Sequence, residues 1–306
     1  MKIKIKKEVL MVIAVLSLLI VGASGCELPG GGGGTTASKT GLDFSLVSGF
    51  DKISSGKVTN LGDAMKVQIR IENYDKKERA GEICIRDDLD DSYGGVTSQC
   101  TPFAVGEAEV TESGGGFFGK TEQVQPGTTD ILLPTGGEFV YTGIPITQTA
   151  NIYITASYEQ ESRIEAPNGV SVPSPETETI QLNQEPAPIT ASVEKSISRQ
   201  QDAYKLNLGI TLTKQQTVEI FSPGFGKKGV LSFKAEMPPR TLTCEPAGSY
   251  NQELFMQGLL ELESKKFINC FSLVDVAEQT RWPLVLNVNY GVKLEKNFPF
   301  TITVEE

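Results

Sequence analysis

Apolar and polar residues alternate with a period of two along most of the chain after residue 42. In "MKVQIRIENY", Met65, Val67 and Ile69 fall on one face, and polar residues stand between them. A period of two places successive side chains on opposite faces of a β-strand. The pattern therefore predicts antiparallel strands with one face buried and one face in water, and no other feature constrains the fold as much.

The same alternation returns in many short segments that Gly, Pro and Asn separate. The clearest examples are "EICIRD", "NIYITASY", "YKLNLGITL", "VLSFKAEM", "LVLNVNY" and "FTITVEE". The best helix candidate is "YNQELFMQGLL", where Gly258 and the alternation that follows favour a strand or one short turn. We therefore expect an all-β protein, and seven or so strands in about 120–140 residues is typical of an immunoglobulin-like β-sandwich.

A proline-rich segment, "PNGVSVPSPETETIQLNQEPAPIT", divides the β-rich region. Prolines disfavour central strands and stiffen the chain, so we place a domain boundary near Gln184. This gives two tandem β-sandwich domains, residues 43–184 and 185–306, with "ETIQLN" as the closing strand of the first. Tyr158 and Tyr290 hold matching places near the ends of the two halves, which suggests a duplication. The alternative is that all alternating β-sequences resemble one another.

Composition excludes several classes of function. The chain has no histidine, which removes the usual Ser-His-Asp triad and the commonest transition-metal ligand. Its formal net charge is −10, and an acidic protein is repelled by nucleic acid. We find no catalytic motif, so we do not expect an enzyme, and we expect no nucleic-acid partner.

Four of the five cysteines lie in the β-rich region: Cys84, Cys100, Cys244 and Cys270. They are widely spaced and include no C-x-x-C, which argues against zinc and iron–sulfur sites and indicates disulfides in an oxidising compartment. Four cysteines allow three connectivities. The proposed domain boundary selects Cys84 with Cys100 and Cys244 with Cys270.

The fifth cysteine, Cys26, follows a leader segment. The first seven residues contain four lysines, and the run from Val9 to Val21 is apolar except for Ser17. Such a run suits the hydrophobic region of a signal peptide and is shorter than the roughly 20 residues that span a membrane. Small residues precede Cys26, and five glycines, 30–34, follow it. We interpret residues 1–25 as a signal peptide and residues 26–42 as a Gly-rich tether.

This leader resembles the lipobox of prokaryotic lipoproteins, in which the cysteine thiol takes a diacylglycerol. The resemblance implies that Cys26 carries lipid and holds the protein at the outer face of the cytoplasmic membrane, on the cell surface. An ordinary signal peptide cut nearby, or an uncleaved N-terminal anchor, is the alternative. The order of Cys244, Cys270, "WPLVLNVNY" and a terminal "TITV" strand is similar to tandem immunoglobulin-like or CARDB-like domains of archaeal and bacterial surface proteins. That similarity implies an architecture and carries over no binding residues.

The first candidate site is acidic. "IRDDLDDSYGG" groups Asp87, Asp88, Asp90 and Asp91 after a strand, and clustered carboxylates are ligands for Ca²⁺. This segment therefore suggests calcium as a cofactor, and the rest of the sequence suggests none. The EF-hand pattern fails, because Tyr93 and Gln99 stand where Gly and Glu belong. The alternative is a solvated acidic turn within the loop that Cys84 and Cys100 close.

A second candidate is "ESGGGFFGKTEQ", where Phe117 and Phe118 lie among glycines. Paired aromatic side chains on a pliable loop can contact a partner protein or a membrane interface. In the alternative, the loop is a hairpin whose phenylalanines fold back on the sandwich. "FSPGFGKKG" is a similar Gly- and Phe-containing turn, which we interpret as a hairpin.

Taken together, these features favour a membrane-anchored extracytoplasmic module that binds a protein or a glycan of the cell envelope, or that contributes to its structure. A carboxylate-dependent hydrolase of envelope polysaccharide is the alternative from another class, since glycosidases use paired Asp or Glu side chains. The solute-capturing lipoprotein of a transporter fits poorly, because those folds typically alternate strands with helices.

Overall fold

The alternating segments form strands in the computed structural model, as their period predicts. The structure describes residues 41–47, 58–60, 62–113, 121–172, 176–185, 187–200, 203–275 and 280–304. The leader and most of the tether, with Cys26, lie outside the described residues, as do Phe117 and Phe118. No helix among the described residues has the length and apolar character needed to cross a membrane.

Thirteen strands precede residue 184 among the described residues. They are β1 (Leu42–Leu46), β2 (Val58–Asn60), β3 (Ala64–Met65), β4 (Val67–Asn73), β5 (Arg79–Asp87), β6 (Gln99–Val105), β7 (Glu109–Ser113), β8 (Thr121–Gln125), β9 (Gly127–Leu133), β10 (Phe139–Val140), β11 (Gln148–Glu165), β12 (Val170–Val172) and β13 (Thr177–Ile180). A 3₁₀ turn, Asp91–Tyr93, stands between β5 and β6.

Nine strands follow residue 184 in the described part of the chain. They are β14 (Ile189–Gln200), β15 (Ala203–Lys214), β16 (Glu219–Phe221), β17 (Val230–Glu236), β18 (Thr243–Pro246), β19 (Leu259–Glu261), β20 (Lys265–Asp275), β21 (Thr280–Trp282) and β22 (Val285–Thr303). A 3₁₀ turn, Pro223–Phe225, follows β16. The single described α-helix, α1 (Gln252–Met256), is the short turn expected there, and the Asn251 side chain caps it.

Two large sheets and several small ones arrange these strands, so the fold is all-β and consistent with β-sandwich domains. The eight-stranded sheet has the order β19-β17-β22-β11-β5-β6, and β16 and β2 also pair with β22. The five-stranded sheet has the order β13-β14-β15-β20-β18, and a three-stranded sheet has the order β1-β4-β9. The longest pairing joins β11 to β22 antiparallel over 18 residues, from Gln148 opposite Ile302 to Glu165 opposite Val285.

The two halves of the chain use their strands in the same way. In the first half, β1-β4-β9 form one sheet, and β11-β5-β6 form one side of the eight-stranded sheet. In the second half, β14-β15-β20 form part of one sheet, and β22-β17-β19 form the other side of the eight-stranded sheet. The correspondence is one of strand order, and it supports the duplication that the sequence suggests.

Four described strand pairings join residues before 184 to residues after it: β2–β22, β11–β22, β12–β21 and β13–β14. The β11–β22 pairing places both halves in one sheet, and β13 pairs with β14, with Thr177 opposite Ser196. Within "ETIQLN", residues 178–180 pair with β14 of the second half, and Asn183 bridges to Glu165 at the end of β11. The segment therefore contacts both halves, whereas the sequence suggested that it closes the first. All described residues belong to one compact unit, 39–306. The boundary near residue 184 stays a prediction.

The buried positions follow the alternation. Along β4, Val67, Ile69 and Ile71 have no exposed surface, while Gln68 and Arg70 face water. The same holds for the central strands of the second half, where Leu206, Leu208 and Ile210 are fully buried. Removing such apolar surface from water is the main driving force for folding.

One polar cluster lies inside the first half. Arg79 donates from Nε to Asp75 at 2.8 Å, and both side chains are almost fully buried. Burial raises the pKa of Asp75, and the Arg79 charge opposes that rise. The buried Asn73 side chain donates to two backbone carbonyls and accepts from the Asp75 N–H. The backbone of this turn is therefore satisfied internally.

In each half, one buried tyrosine binds the backbone at the start of the half's first strand. Tyr290 on β22 accepts a hydrogen bond from the backbone N–H of Ile189, the first residue of β14. Tyr158 on β11 accepts one from the backbone of Leu42, the first residue of β1. Both rings are buried, and burial raises the pKa of each hydroxyl above its ordinary value. The hydroxyls therefore stay protonated and serve as fixed partners for the strand ends.

Candidate functional site

The two expected cysteine pairs are disulfide-bonded, but they occupy different places in the fold. Cys84 on β5 lies opposite Cys100 on β6 in the eight-stranded sheet. Cys244 on β18 lies opposite Cys270 on β20 in the five-stranded sheet. The first disulfide is partly exposed and the second lies against the core. Each disulfide therefore links two adjacent strands of one half. The strand pair linked in the first half does not correspond to the strand pair linked in the second.

The four clustered aspartates divide among separate hydrogen-bond networks. Asp87 accepts from the Tyr141 hydroxyl at 2.6 Å and from the backbone N–H groups of Leu89 and Val96. Asp88 accepts from the backbone and side-chain N–H groups of Asn151, both at 2.8 Å. These bonds fix the turn between β5 and β6 against neighbouring strands.

Two of these carboxyl groups have lowered pKa values. Burial opposes ionisation of Asp88, but the hydrogen bonds from Asn151 outweigh it and lower the pKa. Hydrogen bonds from Ser92 lower the pKa of Asp90, which caps the 3₁₀ turn that begins at Asp91. Among the described residues, no three of the four aspartates bring carboxylate oxygens within 4.8 Å of one another. The segment thus forms a hydrogen-bonded acidic turn, and calcium binding stays a prediction.

The segment with Phe117 and Phe118 is a hairpin in its described part. Strands β7 and β8 pair antiparallel, with Ser113 opposite Thr121. The phenylalanines lie between these strands, outside the described residues, so their predicted role as a partner contact is untested.

Three surface cavities stand out in the described part of the chain, with volumes of about 540, 470 and 710 Å³. The first surrounds the turn after β17, where Arg240 stacks on Trp282. The second lies on the outer face of the five-stranded sheet. The largest lies on the outer face of the eight-stranded sheet, and it combines aromatic rings with ionisable side chains. Cavities of this size and mixed lining are typical of ligand sites.

We call this largest cavity the aromatic groove. Its lining includes Glu82, Ser157, Glu159, Phe221, Phe225 and Lys293. Strand register places the polar side chains in a row, because Glu82 lies opposite Ser157, and Ser157 lies opposite Lys293. Glu219 continues the row opposite Lys293. Hydrogen-bond acceptors and a donor therefore follow one another across four adjacent strands.

The 3₁₀ turn after β16 forms one side of the groove. Gly224 donates its backbone N–H to Glu159 Oε1 at 2.7 Å, which fastens the turn to β11. Within the turn, the Phe225 N–H donates to the Ser222 carbonyl at 2.9 Å, and the Lys227 N–H donates to Ser222 Oγ. Lys228 and Glu219 form an ion pair at its base. Hydrogen bonds and an ion pair thus fix the position of the turn.

Phe225 itself has an unusual backbone conformation. Its φ is +57°, and it is the single non-glycine residue with positive φ among those the structure describes. For a residue with a side chain, this conformation costs on the order of 1–3 kcal/mol, so it persists where the surroundings enforce it. Such residues cluster at binding and catalytic sites. The backbone conformation therefore marks this turn as a candidate functional element.

The Phe225 ring lies directly on Gly291. A Cβ atom added at Gly291 would lie 2.8 Å from the Phe225 ring, which is closer than real Cβ contacts allow. Gly291 lies opposite both Glu159 and Phe221, in the middle of the longest strand pairing. Phe225 keeps 37% of its surface exposed, and its ring centroid is 5.9 Å from that of Phe221. A glycine thus creates the space in which an exposed aromatic ring sits flat on the sheet.

A comparable contact occurs on the other large sheet. The Phe267 ring covers Gly209, whose Cβ position lies 2.9 Å from Phe267 Cζ. Phe267 is 40% exposed, but its backbone φ is ordinary, and no 3₁₀ turn holds it. Covering a strand glycine with an aromatic ring stabilises a sheet by itself. What distinguishes Phe225 is the fixed turn and the row of polar groups beside it.

Sequence reasoning missed this groove. The predicted hairpin at "FSPGFGKKG" is confirmed, because Phe221 and Lys228 form an antiparallel bridge. The sequence did not predict that the loop of this hairpin is a 3₁₀ turn that lies on the sheet. One signal was present, because Gly291 interrupts the otherwise regular alternation of "LVLNVNYGVKL". A glycine inside a strand often marks the close approach of another group. Which group approaches could not be read from the pattern, since Phe225 lies 66 positions away in the sequence.

No protein-family model matches the chain, and no curated protein matches it.

Proposed function

We propose that this protein is an extracytoplasmic binding module of the cell envelope and that it binds an envelope component in the aromatic groove. The observation that carries this proposal is the placement of Phe225. An exposed aromatic ring is held in a strained conformation beside a row of hydrogen-bonding side chains. A purely structural ring needs neither feature. Binding residues are often held by loops on a rigid scaffold, as this turn is held on the sheet.

The leader supports the location. Its lysines, apolar run and small residues before Cys26 resemble a lipobox, and the glycines after Cys26 suit a flexible tether. We propose that lipid on Cys26 holds the module at the outer face of the cytoplasmic membrane. A module displayed in this way meets envelope components at high local concentration, so modest affinity suffices for retention.

A carboxylate-dependent hydrolase is the second candidate function, and one observation favours it. Glu82 and Glu159 line the same groove. Because Glu82 lies opposite Ser157, Glu159 is its diagonal neighbour on the same face, at a Cα distance of roughly 7–8 Å. Glycosidases separate their two carboxyl groups by about 5–10 Å. Glu159, however, already accepts the Gly224 N–H, a bond that stabilises the turn.

Sedimentation with washed cell envelopes tests the binding function. The protein is used without its leader, residues 1–25, and with Cys26→Ala, so that neither the apolar run nor lipid contributes to retention. We expect it to sediment with the envelopes and to release no reducing ends from their polysaccharide. Release of reducing ends that Glu82→Gln abolishes would establish the hydrolase instead. A protein that stays in the supernatant and hydrolyses nothing would refute both functions.

A further inference from the structure

We infer that the aromatic groove binds an uncharged glycan, with a pyranose ring stacked on Phe225. This inference rests on the proposed binding function and names the chemical class of its ligand. Three features of the molecule support it: the aromatic surface, the mixture of polar groups beside it, and the charge of the protein.

The aromatic surface suits a sugar ring. One face of Phe225 packs on Gly291, and the part of the ring that stays exposed borders the cavity. The face of an aromatic ring carries negative partial charge, and the C–H groups on one side of a pyranose carry positive partial charge. The two surfaces are also similar in size and both are nearly flat. A ring held in place loses little conformational entropy when the sugar stacks on it.

The polar groups suit a molecule rich in hydroxyl groups. A hydroxyl is both a donor and an acceptor, so a sugar uses carboxylates, ammonium groups and other hydroxyls together. The row across the sheet supplies all three kinds in Glu82, Ser157 and Lys293. A cationic ligand would use the carboxylates alone, and Lys293 would repel it. The alternation of charge along the row therefore favours a neutral polyol.

The charge of the protein argues against acidic polysaccharides. The chain has a formal net charge of −10, and Glu82 and Glu159 border the groove. A polyanion would be repelled by the protein as a whole and by the two carboxylates at the groove. A neutral glycan meets no such barrier. The width of the groove, which crosses β5, β11 and β22, accommodates a chain of sugars rather than a single deep-set monosaccharide.

Substitution of Phe225 separates stacking from general apolar contact. Phe225→Leu keeps an apolar side chain of similar volume and removes the π-face, whereas Phe225→Tyr keeps the π-face. Phe267→Leu is the matched control, because Phe267 also covers a strand glycine and is similarly exposed, but lies on the other sheet.

The experiment measures retention of the full-length protein, with Cys26→Ala in every variant, on immobilised neutral oligosaccharides. The probes are oligomers of glucose, mannose, galactose and N-acetylglucosamine, and heparin is the anionic probe. We expect retention on at least one neutral oligomer and none on heparin. Phe225→Leu lowers the affinity about tenfold or more, Phe225→Tyr recovers most of it, and Phe267→Leu leaves it unchanged.

Each other outcome counts against the inference. Retention on heparin alone, or equal retention of the parent and Phe225→Leu on the neutral oligomers, overturns it. If the protein sediments with envelopes but no neutral oligomer retains it or competes for that binding, the glycan assignment is wrong while the binding function stands. If it neither sediments with envelopes nor binds any oligomer, the proposed function fails as well.

Discussion

The Tyr290 hydroxyl accepts a 3.3 Å hydrogen bond from the backbone N–H of Ile189, 101 positions earlier in the chain. Tyr158 and Leu42 make the corresponding contact in the first half. In each case a tyrosine on the half's longest strand binds the first residue of the half's first strand. This shared contact, together with the shared strand order, supports a common origin for the two halves.

We predict that Tyr158→Phe and Tyr290→Phe destabilise the fold by similar amounts. Each substitution keeps the ring and leaves a buried backbone N–H without its acceptor, which costs about 1–2 kcal/mol. Denaturant unfolding of the full-length protein measures both values. Tyr153→Phe is the control, because that ring is half-buried on the outer face of the same strand and its substitution should change little. A loss confined to one of the two variants would contradict the equivalence of the contacts.

A second prediction concerns the buried ion pair. Arg79→Met leaves the Asp75 carboxylate buried without its cation, which costs about 3–5 kcal/mol at neutral pH. The matched control is Arg70→Met, since Arg70 pairs with Asp130 at the same 2.8 Å distance but in an exposed position. Exposed pairs contribute little to stability. Equal losses in the two variants would show that burial does not govern the contribution of Asp75.

The same pair predicts a pH dependence. Burial raises the pKa of Asp75 in the folded state, so between its unfolded value and this raised value the folded state binds more protons. The contribution of Asp75 to stability is therefore complete below the unfolded pKa and is lost as the pH rises through the folded pKa. In Arg79→Met the opposing charge is absent, and the loss extends to higher pH. Unfolding free energies of parent and variant should diverge as the pH rises, and parallel curves would contradict this account.

The disulfides give a direct chemical test. Non-reducing peptide mapping should recover Cys84 linked to Cys100 and Cys244 linked to Cys270. Closing a loop of this size contributes about 3 kcal/mol in the chain-entropy model, so reduction should lower the midpoint of unfolding. A peptide that links Cys84 to Cys244 would be incompatible with the strand pairing described above.

The membrane location depends on Cys26. We predict that Cys26→Ala abolishes incorporation of a labelled fatty acid into the protein and alters its processing, because the thiol is the point of lipid attachment. Metabolic labelling and gel migration, compared with the parent protein, measure the effect. If the variant incorporates the label and migrates like the parent, lipid attachment at Cys26 is wrong.

Local pattern was sufficient to predict the fold class. The alternation in β4 specifies which side chains are buried, because a shift by one residue would expose Val67, Ile69 and Ile71 together. The pairing partners could not be predicted in the same way. Nothing in "NIYITASYEQ" indicates that its strand, β11, pairs with β22 for 18 residues, since pairing depends on contacts between distant segments. For the same reason, the sequence assigned "ETIQLN" to the first half, whereas its residues 178–180 pair with β14 of the second half and Asn183 bridges to Glu165 of the first.

The groove depends even more on distant contacts. Gly81, Ser157, Phe225 and Lys293 come from separate segments, and the strand register brings them together. Aromatic residues next to glycines drew attention in both "GGGFFG" and "SPGFGKKG". For the second of these, the fold shows what the sequence could not, because it places Phe225 over Gly291 and beside polar side chains.

Gly291→Ala tests most directly whether Phe225 forms the binding surface of the groove, because it moves this ring without altering a polar group. Its new Cβ atom displaces the Phe225 ring, whereas the β-strand backbone accepts alanine. Gly106→Ala is the control, since nothing lies within 4 Å of its Cβ position. Both variants are tested by sedimentation with washed envelopes, in protein that lacks residues 1–25 and carries Cys26→Ala. The account predicts that Gly106→Ala binds like the parent and that Gly291→Ala loses about tenfold or more in affinity. Undiminished binding of a folded Gly291→Ala variant would contradict it.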